Sequence, residues 1–150
     1  MIKIIRTTAT NADFQKMIPQ LDKYLSVTDG DDHEFYNQFN KLDTIEHVVL
    51  AYKNDLAMSC GAIKELNEDT MEIKRMFTKE EARGNGLATM VLSELESWAK
   101  QLGYQRCRLE TGINQPEAIA LYLKNGYHVI PSYDQYKNMP LSKCFEKKLN

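Results

Sequence analysis

Along this chain the hydrophobic and polar positions change period several times, and each change marks an element. Residues 1–6 alternate enough to predict a short first strand. Thr10-Asn11-Ala12-Asp13 then supplies a helix cap. Behind it Phe14, Met17, Ile18, Leu21 and Leu25 recur at helical spacing, which predicts a helix over 11–25. An acidic turn at 29–34 opens a second, shorter helix reaching Lys41. Two apolar stretches, 48–52 and 56–63, flank Lys53-Asn54-Asp55 as a hairpin, and Asn67-Glu68-Asp69 turns into a third strand over 71–78. At Leu87 the period passes from two to 3.6. Leu87, Val91, Leu95, Trp98 and Leu102 form one stripe, and Gly103 ends the helix. The strand expected at 106–110 follows that helix, so it should pair parallel to 71–78 through a right-handed crossover. Pro116 suits the first turn of another helix that reaches Asn125 and stops at Gly126. Two closing strands, 127–130 and 144–149, bracket a long loop at 131–143 of the kind that lies over a site. The order β-α-α-β-β-β-α-β-α-β-β describes an α/β chain: a mixed sheet with helices on its faces.

Composition narrows what such a chain can do. At 150 residues without repeat or low-complexity tract it is expected to form one domain, 1–150. The 19 basic and 21 acidic residues leave a net charge of −2, which removes the basic field that nucleic-acid binding requires. No apolar run approaches the roughly 20 residues that span a bilayer, so no membrane partner is expected. The opening residues lack the apolar core of a signal peptide. Cys60, Cys107 and Cys144 are odd in number and widely spaced, and His33, His47 and His128 show no metal-ligand spacing. The expectation is therefore reduced cytoplasmic thiols and no metal.

The most informative stretch is Glu72-Ile73-Lys74-Arg75-Met76-Phe77-Thr78 followed by Arg83-Gly84-Asn85-Gly86-Leu87-Ala88-Thr89. A strand passes through a short loop into a glycine turn that opens an amphipathic helix. The first-turn N–H groups of that helix lack internal partners, and with the helix dipole they form an anion site. The dipole alone contributes roughly 0.3–1 kcal/mol per charge. A bare Gly-x-Gly also fits an ordinary helix start. A dinucleotide fingerprint with Glu110 as the ribose acid fits poorly, because a third glycine is missing and the turn does not follow its strand directly. A Walker loop would need Gly-Lys-Ser/Thr, which is not there.

Arg83-Gly84-Asn85-Gly86-Leu87-Ala88 resembles the Arg/Gln-x-x-Gly-x-Gly/Ala motif of the GNAT superfamily of acetyl-CoA-dependent N-acetyltransferases. Residues 115–127, from Gln115-Pro116-Glu117-Ala118 to Leu121-Tyr122 and Gly126-Tyr127, are similar to its second motif, Asn-x-x-Ala-x-x-Leu-Tyr-x-x-x-Gly-Phe/Tyr. Both motifs stand in order and at family spacing. Ala88 replaces the last glycine, and Gln115 stands where many members have Asn, with Asn114 just before it.

The resemblance implies the acyl-CoA N-acyltransferase fold, a mixed and mostly antiparallel sheet with helices on both faces and a parallel pair of the fourth and fifth strands. It implies acetyl-CoA as co-substrate. By resemblance, the amides of Gly84, Asn85, Gly86, Leu87, Ala88 and Thr89 hold the pyrophosphate, and Arg83 adds charge or braces the loop. Phe77 and Thr78 pair their backbone with the pantetheine arm, the Met76 N–H polarises the thioester carbonyl, and Asn114 or Gln115 contacts the cofactor. Tyr122 is the general acid for the departing thiolate. Homodimers, common in the family, come with the same resemblance.

Acetyl transfer to an amine needs a neutral nucleophile. Deprotonating a lysine-like amine at pH 7 costs about 4.6 kcal/mol, so a base helps considerably. Glu72, eleven residues before Arg83, matches the base of histone-acetylating members. Glu110 matches the base of members that acetylate ribosomal-protein N-termini, and its place beside the helix of Tyr122 gives it a slight preference. Direct attack in a ternary complex is implied, with the cysteines serving only to pack. The family's acceptor pocket is lined by the connection after the first helix and by late loops. Here those carry Asp29, Asp31, Asp32 and Glu34, which suit a cationic amine or a solvated helix cap, and Tyr133, Tyr136 and Ser142. The expected acceptor is the primary amine of a small, amino-acid-like or cationic molecule. A protein N-terminus or lysine is the alternative substrate, and a non-catalytic acyl-CoA-binding module is the alternative of another class.

Overall fold

The computed structural model describes residues 1–28, 30 and 45–150. The acidic turn and the second helix expected after it lie outside the described residues, apart from Gly30. Among the described residues the order is β1 (Ile2–Thr7), α1 (Ala12–Thr28), β2 (His47–Lys53), β3 (Leu56–Asn67), β4 (Thr70–Thr78), α2 (Leu87–Gln101), β5 (Arg106–Gly112), α3 (Pro116–Lys124), β6 (His128–Ile130) and β7 (Ser142–Lys148). Short 3-10 turns at Glu80–Ala82 and Asp134–Tyr136 are additions that the periodicity does not reveal.

Local chemistry accounts for the element ends. The Asn11 side chain accepts the Phe14 N–H at 3.0 Å and caps α1. That helix continues through Pro19, whose ring faces solvent, and runs three residues beyond its expected end. Pro116 occupies the first turn of α3. At the other end of α3, Gly126 (φ +92°) lets the Tyr127 N–H return to the Tyr122 carbonyl at 3.0 Å.

The seven strands form one sheet in the order β1-β2-β3-β4-β5-β7-β6. Every pairing is antiparallel except β4 with β5, the crossover pair that encloses α2. Alternation along the strands sorts side chains onto two faces. Val48, Leu50, Cys60, Ala62 and Phe77 pack under Phe14, Met17 and Ile18 of α1. Val49, Ala51, Ile63, Ile73, Leu109 and Phe145 pack on the other face against Val91 and Leu95 of α2 and Tyr122 of α3.

Two irregularities in β4 shape everything that follows. Its parallel register with β5 covers only Thr70↔Arg106, Met71↔Cys107 and Glu72↔Arg108. Beyond that point β4 continues to Thr78 on β3, while β5 continues to Gly112 on β7, so the two strands part. Second, Phe77 stands opposite Cys60 but Lys74 opposite Ala62, which leaves Arg75 and Met76 to face Gly61 alone. This is a β-bulge, and Arg75 takes φ +58° within it. Gly61 is glycine for want of room. A Cβ there would lie 2.5 Å from Met76 Sδ and 2.8 Å from Leu95 Cδ1.

Candidate active site

Where β4 and β5 separate, the sheet opens into a cavity of about 480 Å³. Side chains from opposite faces of an intact sheet cannot share a pocket, but here they do. Tyr122 enters from the α3 face, and Glu72 and Glu110 enter from the α1 face.

Most of the residues expected to hold a cofactor line this cavity: Met76, Phe77 and Thr78 on β4, then Arg83, Gly84, Gly86, Leu87, Ala88 and Thr89 around the start of α2, and Gln115 at the start of α3. Ser59 Oγ donates to the Phe77 carbonyl at 3.1 Å and holds this end of β4 on β3, while the edge toward β5 stays unpaired. That open edge can accept an extended chain. Gly84 (φ +83°) and Gly86 (φ +77°) adopt left-handed backbone, and a Cβ at either would touch nothing within 4 Å. Within the chain it is their φ, rather than crowding, that calls for glycine. Two such residues just ahead of the first helical amides, with the helix's own bonding starting at Met90 N–H to Gly86 O (3.1 Å), make a cradle that suits a pyrophosphate.

Arg83 braces the loop. Its Nε donates to the Thr78 carbonyl at 3.0 Å, and its guanidinium lies 5.6 Å from the Tyr24 ring centre on α1. Asn85 and Asn114 are exposed and outside the cavity lining, and the Asn85 side chain donates to the Ala82 carbonyl.

Tyr122 is buried, and its pKa is pushed above the ordinary tyrosine value by burial first and by the Glu110 charge second. It therefore keeps its proton throughout the neutral range, and it lines the same cavity as Glu110. Glu110 is half-buried in the cavity wall. Glu72 is buried and engaged at both oxygens: Tyr133 donates to Oε2 at 2.6 Å, and Lys74 Nζ lies 3.3 Å from Oε1. Tyr133 and Tyr136 of the late loop are buried on this face, and Tyr136 lines the cavity, whereas Ser142 begins β7 outside the lining.

None of the three cysteines lines the cavity, and burial raises each thiol, Cys60 and Cys107 to about 12. They are protonated and weakly nucleophilic at neutral pH.

Strand alternation gave no sign of Lys74 and Arg75 as neighbours on one face, nor of Leu21, Tyr24 and Leu25 of α1 as a wall of the cavity. The helical spacing of Leu21 and Leu25 was visible, but what lay under them was not.

The Acetyltransferase (GNAT) family profile matches residues 14–127. An IAA acetyltransferase of Azospirillum brasilense is 31% identical over 154 residues, covering 99% of this chain and 98% of the relative. A crystal structure assigned as an acyl-CoA N-acyltransferase, from Klebsiella pneumoniae, superimposes with TM-score 0.83 at 33% identity, covering 100% of this chain and 99% of that one. A GNAT acetyltransferase of Elizabethkingia anophelis with acetyl-CoA bound shares the fold, with TM-score 0.71 at 22% identity over 99% and 98% of the chains. The parted strands and the glycine cradle thus belong to an acyltransferase architecture. The chain belongs to the GNAT family and is an acetyltransferase.

Proposed function

We propose that the protein transfers the acetyl group of acetyl-CoA to the primary amine of a small molecule by direct attack in a ternary complex. One observation carries this reading. The gap between β4 and β5 joins an amide cradle at α2, an open strand edge at 76–78, a protonated Tyr122 and the Glu110 carboxylate in a single cavity. The cradle and the open edge fit a long, phosphate-bearing cofactor. When bound, acetyl-CoA supplies an activated thioester.

The chain's own groups complete the reaction. Glu110 takes a proton from the incoming ammonium, so that the amine attacks as a neutral nucleophile. The Met76 N–H stabilises the oxygen that gains charge, Tyr122 O–H gives its proton to the sulfur as the carbon–sulfur bond breaks, and the proton that the nitrogen sheds as the amide forms restores Tyr122. Protonated cysteines outside the cavity support direct attack over an acyl-cysteine.

A screen of polyamines, amino acids and short peptides, read by CoA release, tests the proposal. Turnover with small amines supports it. Turnover confined to peptides shifts the substrate to protein N-termini or lysines, and tight CoA binding without transfer to any acceptor makes the chain a non-catalytic module.

A further inference from the structure

Resting on that reading, we infer that the acceptor carries a carboxylate next to its amine, and that Arg75, with Lys74 beside it, is the subsite that holds it. The bulge is what creates this subsite. Regular alternation would turn Arg75 toward the α2 face with Ile73. Two residues facing one instead put Lys74 and Arg75 together on the α1 face, both in the cavity wall.

The Arg75 side chain is only 2% exposed. It donates through Nη2 to Asp22 Oδ1 of α1 at 2.9 Å, whereas Nε and Nη1 have no hydrogen-bond partner among the described residues. Buried guanidinium donors without acceptors are costly, and a residue held at φ +58° adds backbone strain. Lys74 is also buried, and among the described residues a single carboxylate, Glu72 Oε1 at 3.3 Å, meets its three donors.

Among the described residues the negative groups facing this pair are Asp22, Glu72 and Glu110. Asp22 and Glu72 are engaged by the two cations, and Glu110 lies toward Tyr122. A zwitterion matches that layout, with its amine toward Glu110 and its carboxylate across the unmet guanidinium donors, where a charge-assisted and planar pairing is available.

The test compares matched acceptors on the intact protein: amino acids, their carboxamides and the corresponding decarboxylated amines, with CoA release as the readout. The expected result is a kcat/KM about tenfold or more higher for the carboxylate member, expressed mainly in KM. Arg75→Gln should bring the members to within about threefold of one another while CoA affinity stays unchanged, and Arg75→Lys should restore part of the preference.

Should Arg75→Gln fail to fold, the wild-type protein still decides the matter. Deaminated carboxylic acids should compete with the amine, and their amides should not. Equal or better turnover of the carboxamides, or inhibition by acids and amides alike, overturns the carboxylate subsite and leaves acetyl transfer standing. No release with any amine, peptide or amino acid while CoA binds overturns both.

Discussion

Tyr122 reaches the cavity from one face of the sheet and Glu110 from the other, and their closeness raises the tyrosine's pKa beyond the effect of burial. A phenol that stays protonated can give a proton to a leaving thiolate at any pH where the amine reacts. Tyr122→Phe should therefore lower kcat by more than about tenfold with little change in amine KM, and an unchanged kcat would remove the acid role. The two carboxylates separate by their surroundings. Glu110→Gln should lower kcat at neutral pH by on the order of 10²-fold and make the residual rate climb with pH, since only amine already deprotonated in solution can react. Glu72→Gln should act mainly on stability, costing on the order of 3 kcal/mol in urea unfolding, because it strips the charge from the buried Lys74 pair. A larger loss of kcat in Glu72→Gln than in Glu110→Gln would reverse the assignment. The sequence made Tyr122, Glu72 and Glu110 legible as candidates through motif and spacing. It did not show that Tyr133 occupies Glu72, because that contact depends on a late loop folding back over β4.

Elements with clean periods were legible to within a few residues: the stripe from Leu87 gives α2, and Pro116 with Gly126 brackets α3. What the periods concealed is the bulge. A two-residue repeat read through Lys74-Arg75-Met76 assigns alternate faces, and the extra residue that cancels the alternation is determined by the partner strand at Gly61. The same position offers a test. Gly61→Ala places a methyl against Met76, Leu95 and Val91, and should lower stability by about 1–3 kcal/mol in chemical denaturation. The crowded atoms are side-chain ends, so if the Met76 backbone shifts to relieve them, the amide proposed to polarise the thioester carbonyl shifts with it and kcat falls further than stability alone explains. A fully stable and active Gly61→Ala would show that β4 can shift without consequence. Gly84 and Gly86 differ in kind, since their demand is for left-handed backbone and not for space.

For the molecule as a whole, the order of the described elements and the parallel pair followed from the sequence, whereas the length of that pair did not. A strand's apolar pattern says that it is paired, but not where two neighbours cease to pair. Buried thiols and phenols make one global prediction. Cys60 and Cys107 are raised to about 12 by burial, and Tyr127 and Tyr133 also lie above their ordinary value. Below about pH 8 these groups are neutral in both the folded and the unfolded chain, so their contribution to stability is constant. Above it the unfolded chain ionises first, and stability is lost as pH climbs toward about 12. The midpoint of thermal unfolding should hold level between about pH 7 and 8 and then fall steadily, and a rising Tm over the alkaline range would contradict this. The short β4–β5 register also has mechanical meaning. Two half-sheets, β1–β4 and β5–β7, share a seam closed at one end by three residue pairs and open along the rest. A cofactor laid in that seam, as proposed, would take the place of the missing rungs and so act as a fastener as well as a reactant. Saturating CoA should slow amide hydrogen exchange along 73–78 and 109–112 together, and raise stability by about 2.7 kcal/mol at a hundredfold excess over Kd. Each release of product would then unfasten the seam, and part of what limits turnover would be the sheet coming apart.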